Sequence, residues 1–429
     1  MATMPADRSP DSTLSFLRSG YRFIGDRCDR YGSDVFQTRI LLAPTICLRG
    51  RPAAALFYDT ERFQRQTAMP LRVQRTLTGR GGVQGLDGSA HRNRKAMLMS
   101  IMTPAAIRQL GQLFDDEWQA RIPAWEAASA VVLYDELGRL LTRAVCAWAG
   151  VPLATSQVDR RTVELHAMIE ATAAVGPRHW RGLLARGRAE RWLADVIERT
   201  RVGTLPVPAD SPLKVVAEHR DARGRLLPRR IAAVELLNLL RPTVAVDRYI
   251  AFAALALHDH PAWGERVRGD DEATEQFVQE VRRYYPFFSA AAARVRRSFD
   301  WDGHHFPRGR RVLLDLYGTN HHPEVWPQPE LFRPERFAGR RVDEFELIPQ
   351  GGGDPTTGHR CAGEWITIDL MKRAVTNLTS TMRYEVPPQN LALDLHRIPA
   401  LPPSGLTLTN IHRVARLDTA STGRNDRPV

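Results

Sequence analysis

The sequence predicts a mainly α-helical fold with a minor β part, closed as a single domain around one long central helix. Three observations predict it. Helical periodicity runs through 103–200 with little punctuation. A stretch over 229–258, IAAVELLNLLRPTVAVDRYIAFAALALH, is apolar nearly all round, which marks a buried helix. At 1.5 Å per residue it would span roughly 45 Å, the width of the molecule. Strand-like runs are few and short, and no linker divides the 429 residues.

Taken in order, residues 1–10 are polar and expected to be loose, as is the tail 416–429, leaving 11–415 as the folded body. Residues 11–31 open with an N-cap candidate and carry helical spacing. Two strand-like runs follow, VFQTRILL (35–42) and TICLRG (45–50). Gly79, Gly81, Gly82, Gly85 and Gly88 predict a flexible loop that runs into a helix near Ser89. Cys146 sits in LLTRAVCAWAG and reads as an inert core residue. Gly176-Pro177 breaks two helices. A helix over 271–285 ends before Pro286. RVLLDL (311–316) is the clearest strand of the later half. A loop rich in Pro and aromatic residues spans 318–353. The last helix follows Cys361, and short strands close the chain. His258, Asp259 and His260 resemble a metal cluster only superficially, because they cap the long helix.

Composition narrows the class. The chain is 43% hydrophobic and 25% charged, ordinary for a globular protein. No apolar run reaches the ~18–20 residues of a membrane span. The first fifteen residues show no apolar core or cleavage site, so no secretory signal is expected. Four scattered cysteines make neither a disulfide scaffold nor a zinc cluster. A reduced, cytoplasmic protein is the expectation. The net charge is +12, and lysine occurs only at Lys95, Lys214 and Lys372, so arginine supplies 57 of the 60 basic residues. That excess invites a nucleic-acid reading, but no zinc finger, RNP motif or basic arm supports it. The positive field favours anionic small substrates instead.

Three constellations carry chemistry. The loop PQGGGDPTTGHRCAGE (349–364) crowds glycines around Cys361, just before a helix N-terminus. Three glycines in a row suggest close approach to something flat or bulky. The helix N-terminus and nearby arginine would stabilise a thiolate. The ordinary alternative is a glycine turn with a passive cysteine. Glu280 and Arg283, spaced i,i+3, can pair on one helix face. The third is FRPERF at 332–337. The last two are weak alone, and the order of all three is distinctive.

E-x-x-R, then P-E-R-F, then a glycine-rich loop with Cys and Gly two residues later, resembles the cytochrome P450 haem-thiolate family. The resemblance covers nearly the whole chain and implies the P450 fold. It implies haem b with Cys361 as the proximal thiolate ligand of the iron. It implies a structural lock of Glu280, Arg283 and Arg336. It implies basic partners for the haem propionates at His359, His91, Lys95 and Arg294. Two departures stand out. Asp354 and Thr357 occupy the usual Phe and Gly positions of the cysteine loop, which is lengthened by Gly351-Gly352-Gly353. In the long helix, Arg241 and Pro242 replace the acid–alcohol pair of oxygen-activating members. Proline there kinks a helix or costs ~3 kcal/mol.

An arginine in such an apolar segment needs a partner. One alternative puts Arg241 on a solvent stripe with Arg248. Within the resemblance, it faces the distal haem pocket, and its natural partner is a substrate carboxylate held bidentately. LLRPTVA, QEVRRYYPFF, FRPERF, IPQGGGD…GHRC and GGVQGLDGSAHR are similar to the bacterial fatty-acid peroxygenases of this superfamily, the α-hydroxylases above all. The resemblance implies hydrogen peroxide as co-substrate and long-chain fatty acids as substrates. It implies no obligatory redox partner. The carboxylate clamped by Arg241, beside Pro242, would act as general acid–base and direct hydroxylation to the α carbon. Gln84, Thr78, Ala245, Val246, Phe287 and Phe288 are pocket candidates, with Phe287 equally readable as a core aromatic. Gln84 stands where decarboxylating relatives tend to carry His, which favours hydroxylation. β-Hydroxylation, decarboxylation to 1-alkenes and a reductase-fed monooxygenase remain alternatives. A haem-based sensor or carrier is the non-catalytic rival.

Overall fold

The computed structural model describes residues 4–414, so the tail 416–429 lies outside the described residues. Helices dominate, and a five-stranded sheet sits at one side. Its strands are β1 (Val35–Ile40), β2 (Ala43–Leu48), β3 (Phe63–Gln64), β4 (Ala290–Val295) and β5 (Arg311–Asp315). The order is β1-β2-β5-β4-β3. Only the β2–β5 pair is parallel, with Thr45 opposite Arg311. β1 and β2 form a hairpin in which Val35 faces Leu48.

Part of the expected loose N-terminus is ordered. Met4 is buried, and the segment lies along β1 through Gln37 N–H to Pro5 O (2.8 Å) and Asp7 N–H to Gln37 O (2.9 Å). The edge of β1 would otherwise expose unpaired backbone groups. The helical spacing of 11–31 resolves into Thr13–Ser19 and Phe23–Tyr31, separated by a turn where Tyr21 N–H donates to Leu395 O.

The principal helices are α1 (Gly88–Ile101), α2 (Pro104–Glu126), α3 (Leu133–Ala149), α4 (Val158–Glu170), α5 (Pro177–Arg201), α6 (Arg229–Val244), α7 (Val246–Asp259), α8 (Asp271–Tyr284) and α9 (Glu364–Thr376). Capping follows the sequence: Thr103 and Asp270 accept backbone N–H groups at the starts of α2 and α8. The predicted 229–258 helix is present as two consecutive segments. Ala245 interrupts it, three residues after Pro242, while its own N–H still bonds Arg241 O at 3.0 Å. Proline removes one N–H from the ladder and crowds the preceding turn, so a break close behind it is the expected response.

α6 and α7 are buried almost throughout, as their all-round apolar pattern requires. They pack with α2, α3, α8 and α9 in one core that includes Phe114, Trp118, Leu237, Ile250, Phe252, Phe277 and Leu370. Emptying one such site by truncation to Ala costs ~2–5 kcal/mol, so the central helix is firmly held. Among the described residues no helix is long and apolar enough to cross a membrane.

Candidate active site

Cys361 lies just before α9. Cys28, Cys47 and Cys146 are buried in the core, whereas Cys361 keeps part of its surface open. Its N–H donates to Gln350 O at 3.1 Å. Burial pushes the Cys361 thiol up, and this outweighs the pull of the Gly363 N–H, Lys95 and Arg282. The helix-start N–H and the arginine therefore favour the thiolate, as expected, and burial opposes them. The glycine triplet makes the close approaches expected of it. A Cβ on Gly352 would lie 2.8 Å from Ile348 and 2.9 Å from Glu344 O, and one on Gly351 would lie 3.0 Å from the Tyr58 hydroxyl.

Behind this loop stands the E-x-x-R pair. Arg283 donates to both oxygens of Glu280, at 2.7 and 2.8 Å, and both residues are fully buried. Glu280 also accepts Arg333 N–H at 2.7 Å and Arg336 Nε at 3.2 Å. Arg283 reaches on to the carbonyls of Asn320 and Leu331. The pair thus ties α8 to the loop that leads into the cysteine segment. A second buried pair, Arg282–Glu364, ties α8 to the first turn of α9, and Arg360 holds the same carboxylate at 2.5 Å.

His91 and Lys95 stand one turn apart on α1, and both are buried. The His91 and His359 rings lie 3.9 Å apart. Burial, then Lys95, lowers His91 to about 4; burial, then Arg65, lowers His359 to about 2. Both are neutral imidazoles at pH 7, each with one ring N–H to donate. Lys95 donates to Arg360 O at 2.6 Å, next to the cysteine. Arg94, on the same helix, pairs with buried Glu235 at 2.5 Å and so fixes α1 against α6. Arg65 joins this group, and sequence reasoning missed it. It is buried against Phe57, and burial lowers it to about 10. It lies in no motif, so only the tertiary contact reveals it. Arg294 stands apart on β4, donating to Thr67 O (2.9 Å) and Gly309 O (2.8 Å).

On α6, Arg241 is buried, with no carboxylate within ion-pair distance among the described residues and its Nε unpartnered. Burial, then Arg186, lowers it to about 9. The solvent-stripe alternative is overturned: Arg248 is also buried, and it pairs with Glu170. One turn before Arg241, Asn238 donates to Gln84 Oε1 at 3.3 Å. Thr243 turns back to Leu239 O, at 2.9 Å.

A cavity of about 460 Å³ is lined by Thr78, Gln84 and Arg294, with Arg65, Arg311 and the 79–85 glycines. Arg241, Ala245, Phe287 and Phe288 do not line it. Ala245 and Val246 are buried at the helix break. Phe287 stacks on Tyr249 at 4.2 Å and packs against the main core, while Phe288 meets it edge-on and is 36% exposed. Phe287 thus behaves as the core aromatic of its two readings. His260 stacks on Phe332, and among the described residues no cluster of His, Cys, Asp or Glu could hold a metal ion.

The arrangement fits a thiolate-ligated haem. One cysteine has open surface beside neutral imidazoles, a lysine and an arginine, and a buried guanidinium stands on α6 with no carboxylate partner among the described residues. Residues 270–408 match the family described as Cytochrome P450. The chain is 49% identical to Cytochrome P450SP alpha (CYP152B1) in complex with (R)-ibuprofen, with a TM-score of 0.92 over 94% of this chain and 99% of that one. It is 44% identical to wild-type Cytochrome P450EX alpha (CYP152N1) with myristic acid, with a TM-score of 0.94 over 96% and 100%. A variant of cytochrome P450 OleT in complex with arachidonic acid is 34% identical, with a TM-score of 0.94 over 96% and 99%. On motif order, fold and full-length likeness together, this chain belongs to the cytochrome P450 family, among the CYP152 fatty-acid peroxygenases.

Proposed function

We propose that the enzyme hydroxylates long-chain fatty acids at the α carbon, using hydrogen peroxide without a redox partner. The observation that carries this reading is Arg241, a buried guanidinium with no carboxylate partner, standing where a proton-relaying acid is expected. A buried cation without a partner is costly, and an anionic ligand removes that cost. The myristic and arachidonic acids and ibuprofen bound by the similar structures are all carboxylic acids.

Haem b, held through Cys361, supplies the iron at which peroxide is activated. The protein's own residues do the rest. Arg241 holds the carboxylate in a fixed plane by two parallel N–H bonds. That carboxylate would take up and return the peroxide proton, the task of the missing acid–alcohol pair. Pro242 contributes neither N–H nor hydroxyl, so it offers no competing proton path. Thr243 is committed to Leu239 O and offers none either. Because C1 is clamped, the carbon next to it is the one presented, which is positional control by orientation. His91, Lys95, His359 and Arg65 would hold the propionates. Arg294, already engaged with two carbonyls, is the weakest of those candidates. Thr78 and Gln84 would line the approach to the site, and Phe288 would bound the chain. A reducing, cytoplasmic setting is part of this reading.

The test is turnover of myristic acid by haem-loaded protein with hydrogen peroxide, no reductase and no NAD(P)H. 2-Hydroxymyristate as the main product is the expected result. 3-Hydroxymyristate or a terminal alkene would keep the clamp and overturn the α assignment. No product with intact haem would overturn the peroxide route.

A further inference from the structure

Gln350 has its backbone tied to the cysteine, since its carbonyl accepts the Cys361 N–H. Its side chain is held at both ends. Oε1 accepts Arg282 Nη2 at 3.2 Å, and Arg282 is buried in its pair with Glu364. A guanidinium only donates, so the amide oxygen must face Arg282 and the NH2 must face away. On that other side Nε2 lies 3.0 Å from Thr367 Oγ1 and 3.9 Å from Cys361 Sγ. Thr367 spends its own hydroxyl proton on Gly363 O, leaving a lone pair for the amide. The NH2 carries two hydrogens, one for each acceptor.

We propose that Gln350 is a positioning residue for the sulfur ligand: its side-chain N–H hydrogen-bonds the Cys361 thiolate and tempers its electron donation to the haem iron. The reading rests on Cys361 as the haem ligand. A metal-bound thiolate carries more charge than a thiol and draws the donor in. Partners of metal ligands commonly tune the metal in this way. The chain Glu364, Arg282, Gln350 makes the amide orientation a consequence of a buried ion pair whose members lie 14 and 68 residues away in sequence.

The test uses the full haem-loaded chain. Ferric–ferrous titration and the Soret band of the ferrous carbon monoxide complex are compared for the parent, Gln350→Leu and Thr367→Val. Gln350→Leu is expected to favour the ferric state roughly tenfold, as expected for the loss of a partner to a metal ligand, and to move the carbonyl Soret band to the red. Thr367→Val frees the amide for sulfur alone, so its potential stays at or above the parent's. Both variants moving together, or neither moving, would make Gln350 a packing residue and overturn the proposal. Should Gln350→Leu fail to take up haem, Gln350→Asn, which keeps the amide but shortens its reach, is expected to give the same shift. No thiolate-type carbonyl band in the parent would instead remove Cys361 ligation itself.

Discussion

Arg241 and Arg248 lie seven residues apart on the central helix, both buried, and only Arg248 has a carboxylate. Arg248 reaches Glu170 and the Tyr134 hydroxyl, and burial is more than offset, so it is held above its usual range. Arg241 is held below its own, at about 9, by burial and by Arg186. The same residue type in one helix is thus a structural tie in one place and an open cation in the other.

Arg241→Leu separates function from stability. Hydrogen-peroxide turnover of myristic acid is expected to fall about 100-fold or more, the scale of a lost acid–base group. The haem spectrum should persist. Removing an unpaired buried charge should raise the substrate-free protein's stability by about 1–4 kcal/mol in urea denaturation. Myristic acid should stabilise the parent against unfolding and the variant far less. Undiminished turnover would sink the clamp.

Glu280→Gln leaves Arg283 buried without its anion and also weakens the hold on Arg333 and Arg336. A loss of about 3–5 kcal/mol is expected. Denaturant melts of haem-loaded protein, with haem release followed by absorbance, would measure it. A change below 1 kcal/mol would show that the lock is dispensable.

His321 makes stability pH-dependent on the acid side. Its Nδ1 faces Tyr317 O at 2.9 Å, so that nitrogen carries the proton, and the buried Nε2 has no partner. Burial and Arg283 lower it to about 3, so the folded state resists protonation that the unfolded chain accepts near 6.5. The contribution is complete above pH 6.5 and is lost as pH falls toward 3, at up to about 1.4 kcal/mol per pH unit. His321→Phe, which keeps the stack on Tyr317, is expected to flatten the stability profile in that window. An unchanged slope in denaturant melts at pH 4–6.5 would count against this account.

Gly82→Ala probes the loop that covers α6. A Cβ there would lie 2.8 Å from Thr78 O and 2.9 Å from Asn238 Nδ2. The Thr78 carbonyl is backbone and cannot swing aside, so the Gln84–Asn238 bond must give. A loss of about 1–3 kcal/mol is expected. KM for myristic acid should rise more than kcat falls, because the loop lines the approach. Steady-state kinetics with unchanged KM would remove the loop from substrate binding.

Much of the site was legible because its signals are local. Glu280 and Arg283 share one helix face, so their spacing alone announces a pair. Cys361 sits between a glycine loop and a helix start, both written in adjacent residues. The apolar pattern of 231–257 marks burial on every side, and Pro242 marks where regularity would falter, although the break itself appears at Ala245. Arg65 and Gln350 were not legible. Arg65 follows β3 and meets the His91–His359 pair through a long-range tie, its backbone N–H donating to Asp87 at the start of α1. Gln350 acquires its role from Arg282, on another helix. The glycine triplet announced close approach without saying to what, and Tyr58 and Ile348 are among the neighbours it meets.

The sequence by itself determined the helical class, the order of the motifs, the cysteine in its glycine-rich loop and the Arg-Pro step in the central helix. Helix periodicity, capping and i,i+3 pairing act within a turn or two of chain, so residue order is enough to specify them. Only the tertiary structure decided that Glu170, 78 residues before Arg248, neutralises Arg248 while no carboxylate among the described residues reaches Arg241. Whether a buried charge is a tie or a binding site depends on what the rest of the chain brings within about 4 Å of it, because in a desolvated interior only such a partner offsets the cost of burying the charge.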